Sequence, residues 1–224
     1  MVDQLMIGTK ASFDDFDASL KERIIQAPSK KSIRETVPFS NVTYDFSAIN
    51  GEIYWTERVL EYVFEIIANS PEEMERKKAL FSGWVMNVMN ENIYDPFEPG
   101  WHYVGTFDKI DYEDDECMEK TTITVLFVAY PYKIANEETV YNILVPGRSE
   151  VTEIITNDSC HRLTPTFITE VPLNISFGNV AYALHAGETT DDSCKFEIGE
   201  TALNVLSAQA DDYVLTVKFY KEVF

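Results

Sequence analysis

Residues Thr121 to Tyr130 read TTITVLFVAY, a run of β-branched, aliphatic and aromatic side chains with no glycine inside it. Such residues fit a pleated, half-buried surface. Pro131 closes the run, since it has no amide proton to offer a ladder. This stretch predicts a strand and sets the chain as β-rich. Upstream, Tyr54 to Ala68 reads YWTERVLEYVFEIIA. Its more apolar set is Tyr54, Leu60, Tyr62, Phe64 and Ile66, against Trp55, Val59, Glu61, Val63 and Glu65. That alternation favours a strand with one wet face, although the same stretch also fits a helix.

Between these two stretches lies the single long helix of the sequence. Ser70-Pro71-Glu72-Glu73 supplies a capping hydroxyl, a proline at the first helical position and a glutamate three residues after the cap. Met74, Phe81, Trp84, Val85 and Val88 follow at helical spacing. The predicted helix runs from about 71 to 89, and Asp95-Pro96 ends the segment. Ile33–Val37 and Trp101–Phe107 read as shorter strands. From Asn136 onward there are only short apolar runs: Val140–Val145, Glu150–Thr156, Thr166–Val171, Leu173–Phe177, Asn179–Leu184, Lys195–Ile198, Ala202–Ser207 and Tyr213–Tyr220. Pro146-Gly147, Asn157-Asp158, Phe177-Gly178-Asn179 and Asp211-Asp212 punctuate them. Regular short strands with turn signals predict a β-sandwich or jelly-roll-like module. The expected fold class is therefore mainly β (α+β). It comprises an N-terminal domain, residues 1–135, with the helix, and a C-terminal sandwich, residues 136–224, divided at the charged segment after Pro131.

The chain has 224 residues, 18 basic and 38 acidic, for a formal charge of −20. That excess argues against nucleic acid or an anionic membrane as a docking surface, because phosphates are bound by lysine and arginine. No stretch approaches the length of a membrane-spanning helix. Met1 to Lys10 has neither a basic n-region nor an apolar h-region, so no signal peptide is expected. Cys117, Cys160 and Cys194 are odd in number and widely spaced, and His102, His161 and His185 are scattered. The expectation is reduced thiols and no zinc site.

Motifs that carry chemistry are thin. The chain has no GxGxxG, GxxxxGK[ST], HExxH or GxSxG. Asp111-Tyr112-Glu113-Asp114-Asp115-Glu116 lacks the glycine of a calcium loop and reads as a solvated loop between strands. Cys160-His161 beside Asp158 offers nucleophile and base, but neighbours on an extended strand face opposite ways. Trp101-His102-Tyr103, after Pro99-Gly100, could stack on a sugar ring, yet packing of Trp101 in a β core is the simpler expectation. No catalytic, metal or cofactor residue is assigned.

In order along the chain, several segments resemble the distal tail proteins of siphoviruses and prophages of Gram-positive bacteria. Ser12-Phe13-Asp14-Asp15-Phe16 is similar to the family's opening S-x-D-F-like segment. Pro28, Val37-Pro38-Phe39 and Tyr44-Asp45-Phe46-Ser47 follow its next stretch, with Pro38-Phe39-Ser40-Asn41-Val42 in place of its PGRDG turn. Trp55 to Phe64, Ser70-Pro71-Glu72-Glu73, Trp101 to Phe107 and Thr121–Tyr132 match its next strand, its helix start, its following strand and its closing strand. The C-terminal part resembles the family's galectin-like β-sandwich through Asn157, Leu163 to Ile168, Ile198 to Val205 and Tyr213–Phe224.

The resemblance implies a barrel-like or sandwich-like N-terminal ring domain and a structural virion protein with no catalytic residues or cofactors. Such proteins form a homo-hexameric ring at the tip of a long non-contractile tail. The ring joins the tail tube protein to the tail-associated lysin or fibre protein and, in some phages, to receptor-binding proteins. Synthesis would be in the host bacterial cytoplasm and the destination the virion, with no direct nucleic-acid or membrane binding. On that reading Lys30, Lys31, Arg34 and Arg58 are candidates to pair with acids of a neighbouring subunit, and Asp111–Glu116 could line the opening. Two alternatives stay open: a soluble module whose residues 136–224 recognise cell-surface glycans, and a glycoside hydrolase using two carboxylates.

Overall fold

The computed structural model describes residues 3–39, 41–48, 51–117 and 119–224, so Ser40 of the Pro38-Phe39-Ser40-Asn41-Val42 segment lies outside it. The chain divides into two compact units: residues 1–133 together with Phe224, and residues 134–223.

The first unit holds strands β1 (Met6–Ile7), β2 (Lys10–Ala11), β3 (Ala18–Ile25), β4 (Arg34–Thr36), β5 (Thr43–Asp45) and β6 (Arg58–Ile67), helix α1 (Pro71–Val85), and strands β7 (Glu91–Tyr94), β8 (Trp101–Asp114) and β9 (Lys120–Ala129). Seven strands form one antiparallel sheet in the order β3-β6-β9-β8-β7-β1-β2. β6 and β9 are its centre. Leu60, Tyr62, Phe64 and Ile66 stand opposite Phe127, Val125, Ile123 and Thr121, so the buried side chains of both strands share one face. Met74, Phe81 and Val85 of α1 cover that face, and Ile7 of β1 and Leu20 of β3 join the same core.

The helix begins as its sequence dictates. Ser70 Oγ accepts the Glu73 amide at 3.2 Å, and the Glu73 carboxylate accepts the Asn69 amide at 2.9 Å. It ends at Val85, four residues before the predicted stop. The last turn tightens, with Asn87 N donating to Trp84 O and Val88 N to Val85 O. Asn90 then adopts a left-handed φ of 52° and the chain enters β7. Val88, read as the last helical apolar residue, is still buried (5% exposed), and its carbonyl accepts the Phe107 amide. Phe16 stacks on Trp84 at 4.6 Å, and Phe81 meets Phe64 edge-on at 5.0 Å. Aromatic contacts of this kind add about 0.5–1.5 kcal/mol each beyond area burial.

Two bulges re-aim side chains. Pairing of β3 with β6 shifts between Leu20 and Glu22, and beyond the shift Arg23 rather than Glu22 stands opposite Tyr62. Pairing of β8 with β9 shifts between Phe107 and Lys109, which sets Ile110, Tyr112 and Asp114 opposite the inward residues Val125, Ile123 and Thr121.

The second unit contains β10 (Lys133–Val145), β11 (Glu150–Asn157), β12 (Thr166–Thr169), β13 (Leu173–Phe177), β14 (Val180–Leu184), β15 (Gly187–Thr190), β16 (Gly199–Leu206) and β17 (Tyr213–Val223). One sheet runs β15-β12-β17-β10 and the other β11-β16-β13-β14. Their inner faces interleave Ile143, Val145, Phe167, Leu215 and Val217 with Ile155, Ile175, Phe177, Leu203 and Val205. This is a β-sandwich. The division between residues 133 and 134 lies within the charged segment after Pro131, whose residues from Lys133 on belong to β10. Two elements differ from the sequence reading. Lys195–Ile198 is no strand: Phe196 makes one bridge, to Leu163, and is fully buried. β15, with sequence GETT, was not expected because a largely polar, exposed edge strand carries no apolar alternation.

The β10–β11 turn is braced against the loop before β17. Arg148 N donates to Gln209 O at 2.8 Å and Gly147 N to Asp212 Oδ1 at 3.0 Å. A Cβ at Gly147 would lie 2.1 Å from Ala210 O and 2.5 Å from Ala210 C, so backbone would have to move. Gly147→Ala is expected to cost about 1–3 kcal/mol, as overpacking does. Thermal denaturation should show the lowered midpoint, and hydrogen exchange should quicken in both braced loops.

Candidate functional site

The described residues between 26 and 57 leave the sheet as a ribbon. β3 and β6 continue past their paired ends through Gln26 N to Val59 O, Thr56 N to Ser29 O and Lys31 N to Tyr54 O, and Lys30 bridges Trp55. Further out, β4 and β5 pair Arg34 with Asp45, Glu35 with Tyr44 and Thr36 with Thr43. Ser47 is the one buried residue described between 29 and 54; its Oγ accepts the Ile33 amide at 2.9 Å, and its own amide donates to Asp45. Those Ser47 bonds, side chain first and then backbone, with Arg34 nearby, hold the Asp45 carboxyl below its ordinary range.

The ribbon exposes many large apolar side chains beside its charged ones. Ile33, Val37, Phe39, Val42, Tyr44, Phe46, Ile53 and Tyr54 are each at least 40% exposed, and Phe39 is fully so. None of them belongs to either core. A two-stranded ribbon is marginal in water without a packed face. Contiguous exposed apolar surface marks a place where another molecule sits.

A partly buried ionic network stands where the ribbon joins the sheet. Arg23 donates to Asp95 Oδ2 at 2.6 Å and to Glu98 Oε1 at 3.1 Å, and Lys133 Nζ lies 2.8 Å from Glu98 Oε2. Tyr62 and Tyr103 donate their hydroxyls to Asp95 and Glu98. Burial pushes the Glu98 carboxyl up, but Lys133, Tyr103 and Arg23 together outweigh it and hold it below its ordinary range. Burial likewise pushes the Tyr62 and Tyr103 hydroxyls upward, and the neighbouring carboxylates add to it.

Most residues singled out from sequence are used structurally. Asp111–Asp114 are not loop but the end of β8. Lys78 pairs with Asp114, Lys109 with Asp111, and Asp115 Oδ1 accepts the Glu119 and Lys120 amides to close the turn. Cys160 and His161 lie on a bend rather than a strand, and His161 Nε2 sits 2.7 Å from Glu222 Oε2. Cys117 is exposed, Cys160 intermediate and Cys194 buried, all as free thiols. In Trp101-His102-Tyr103, Tyr103 and His102 are the buried members and Trp101 is half-buried. Arg34 pairs with its own Asp45. Arg58 is only 4% exposed and lies at a cleft rather than on the open surface. Among the described residues no group of three or more His, Cys, Asp or Glu could hold a metal ion, and no helix is long and apolar enough to cross a membrane.

Sequence reading missed the network. Arg23 reaches it only through the bulge. Asp95 was read as a helix stop, and Glu98 carried no signal. Arg58 did leave one, since it stands on the same alternation as Leu60, Tyr62, Phe64 and Ile66.

No protein-family model matches the chain, and no curated protein matches it by sequence. Among solved structures it is similar to the Dit (gp 19.1) protein of SPP1, described as "a Paradigm of Hub Adsorption Apparatus in Gram-positive Infecting Phages". The TM-score is 0.72 at 13% identity, over 98% of this chain and 100% of that one. Two chains of the phage P2 baseplate in its activated conformation, with Ca and with Sr, align at TM-scores of 0.41 and 0.42, each at 10% identity. They cover 97% and 98% of this chain and 98% of theirs. The likeness to Dit establishes the fold: a β-rich α+β chain of the architecture that the sequence motifs resemble.

Glu98→Gln should destabilise the first unit by about 1.5–3 kcal/mol at neutral pH, the range for a hydrogen bond to a charged group. A depressed carboxyl contributes stability that is present above its unfolded value, near 4.5, and lost as pH falls through the folded value. Melting curves from pH 6 to pH 3 should therefore be less steep in the variant than in the parent.

Proposed function

We propose that this protein is a structural component of a phage tail tip. It forms a homo-hexameric ring at the end of a long non-contractile tail, joining the tail tube to the tail-tip fibre or lysin and, in some particles, to receptor-binding proteins. Three things support the reading: the shared architecture with a protein described as a hub of an adsorption apparatus, the ordered motifs of the distal tail family, and a fold whose strongest unsatisfied feature is a surface for association. The single observation that carries it is the set of exposed apolar side chains on the ribbon, from Ile33 to Tyr54.

Six copies at −20 each would place roughly −120 on such a ring, and self-repulsion of that size opposes closure. Association must therefore come from surfaces whose gain does not depend on charge. The ribbon offers apolar side chains and two strand edges, both satisfied by laying it on a neighbour. The protein's role is to be held in place, and the proposal assigns it no catalytic step.

The full chain should form a closed six-membered species by native mass spectrometry and an annulus by negative-stain imaging at high protein concentration. Its population should rise with salt, because the Debye length falls from ~30 Å at 0.01 M to ~8 Å at 0.15 M. Ile33→Ser combined with Tyr44→Ser should abolish the ring while leaving the melting midpoint within the ~0.5 kcal/mol typical of exposed positions. A chain that stays monomeric under all these conditions, alone and with a tail tube protein, contradicts the proposal. Tight saccharide binding by such a monomer would favour the glycan-recognition alternative.

A further inference from the structure

The first unit contains a cleft of about 430 Å³, within the usual range for ligand sites, lined by residues 25–28, Trp55, Arg58, Glu98, Tyr103, Lys133 and Phe224. Arg58 is its unusual member. The residue is 4% exposed, and its Nε is buried with no hydrogen-bond partner, the one such side-chain atom among the described residues. Its guanidinium lies over the Tyr103 ring at 5.3 Å, a contact that satisfies no N–H. The carboxylates nearby are already engaged: Asp95 by Arg23 and Tyr62, Glu98 by Arg23, Lys133 and Tyr103. A buried guanidinium donor left without a hydrogen-bond acceptor is expensive and is seldom kept unless something completes it.

We infer that this cleft binds a carboxylate carried on an apolar-flanked segment of another polypeptide, with Arg58 as the anchoring fork. The guanidinium presents paired donors that match a carboxylate. Side-chain charges around the cleft, Arg23, Arg58 and Lys133 against Asp95 and Glu98, leave one positive charge over. A single carboxylate balances it, whereas a phosphate dianion would overshoot and face Glu98. Trp55, Tyr103, Phe224 and Pro28 form the walls against which an apolar neighbour of that carboxylate would lie. In a chain of net charge −20 this is a local cationic exception, and it suits an acidic peptide. The inference does not depend on ring formation, since every lining residue belongs to one unit of one chain.

The test uses the full chain, with the Arg58 Nε–H resonance followed during titration with the blocked dipeptide acetyl-phenylalanyl-glutamyl amide. The glutaminyl version serves as its neutral counterpart, and inorganic phosphate as the alternative anion. The expected result is a saturable Arg58 shift with the glutamyl peptide and about tenfold weaker binding of the glutaminyl one, a difference near 1.4 kcal/mol. Phosphate should be weaker than the glutamyl peptide. By isothermal titration calorimetry, Arg58→Met should lose the preference for glutamyl over glutaminyl, with circular dichroism confirming its fold. Arg58→Lys, which keeps the charge but loses the fork, covers the case in which the methionine variant does not fold, and should bind less tightly than the parent. An Arg58 signal unmoved by the glutamyl peptide, equal binding of the two peptides, or stronger binding of phosphate would each overturn the inference.

Discussion

The pairing of β6 with β9 is the constraint from which the rest of the first unit follows. Ten consecutive pairs, from Arg58 with Ala129 to Ile67 with Lys120, run without a bulge. Side chains alternate with a period of two, so a slip of one residue would carry Leu60, Tyr62, Phe64 and Ile66 out of the core together. Because these four match Phe127, Val125, Ile123 and Thr121, the register has one low-energy solution. Helix α1 then has one face on which to place Met74, Phe81 and Val85, and its capping signals only decide where it starts. Packing, more than propensity, holds the helix in place.

The same alternation reaches one step too far. Arg58 stands on the buried set, beyond the last apolar rung, where it faces Tyr103 instead of water. At that point β3 and β6 stop being floor for the core and become the base of the ribbon. An ionic network occupies this junction because the sheet can no longer offer apolar partners there. Arg23 joins it only because the bulge before Glu22 exchanges which side chain faces inward. The bulge thus turns a surface arginine of β3 into a fixed partner for Asp95 and Glu98, and ties the start of the ribbon to the turn around Pro96.

What could be read from sequence divides along physical lines. β6, β9, β12, β13 and β17 were legible because each buries one face, so local pattern and tertiary environment agree. β3 was hidden by its bulge, which breaks alternation in the middle of the strand. β7 is four residues long and lies between the predicted helix stop near 89 and Asp95-Pro96, where no apolar alternation marks a strand. β15 is largely polar because it is an edge. Phe196 misled in the other direction: it is buried between the sheets from a loop, and local sequence does not separate a loop aromatic plugging a sandwich from a strand residue. The cleft was beyond reach for a different reason. Its lining comes from five separated places in the chain, so no local motif exists to be found. Of the ribbon only the Ile33–Val37 strand was read from sequence; its partner β5 and its exposed apolar side chains were not.

The ribbon and Arg58 are opposite violations of the same rule, that apolar groups go inside and charges outside. Ribbon exposure leaves hydrophobic surface in water, and Arg58 leaves a guanidinium out of it. Neither improves the isolated chain: shortening the ribbon would remove exposed apolar area, and an apolar residue at 58 would end an unsatisfied donor. Sequences that otherwise agree at every level, as the β6–β9 seam does, tend to break local rules where a second molecule completes the structure. The two violations share the β3–β6 hairpin, one along its free length and one at its root. An occupant of the cleft would therefore touch residues 25–28, Trp55 and Arg58, from which the ribbon departs.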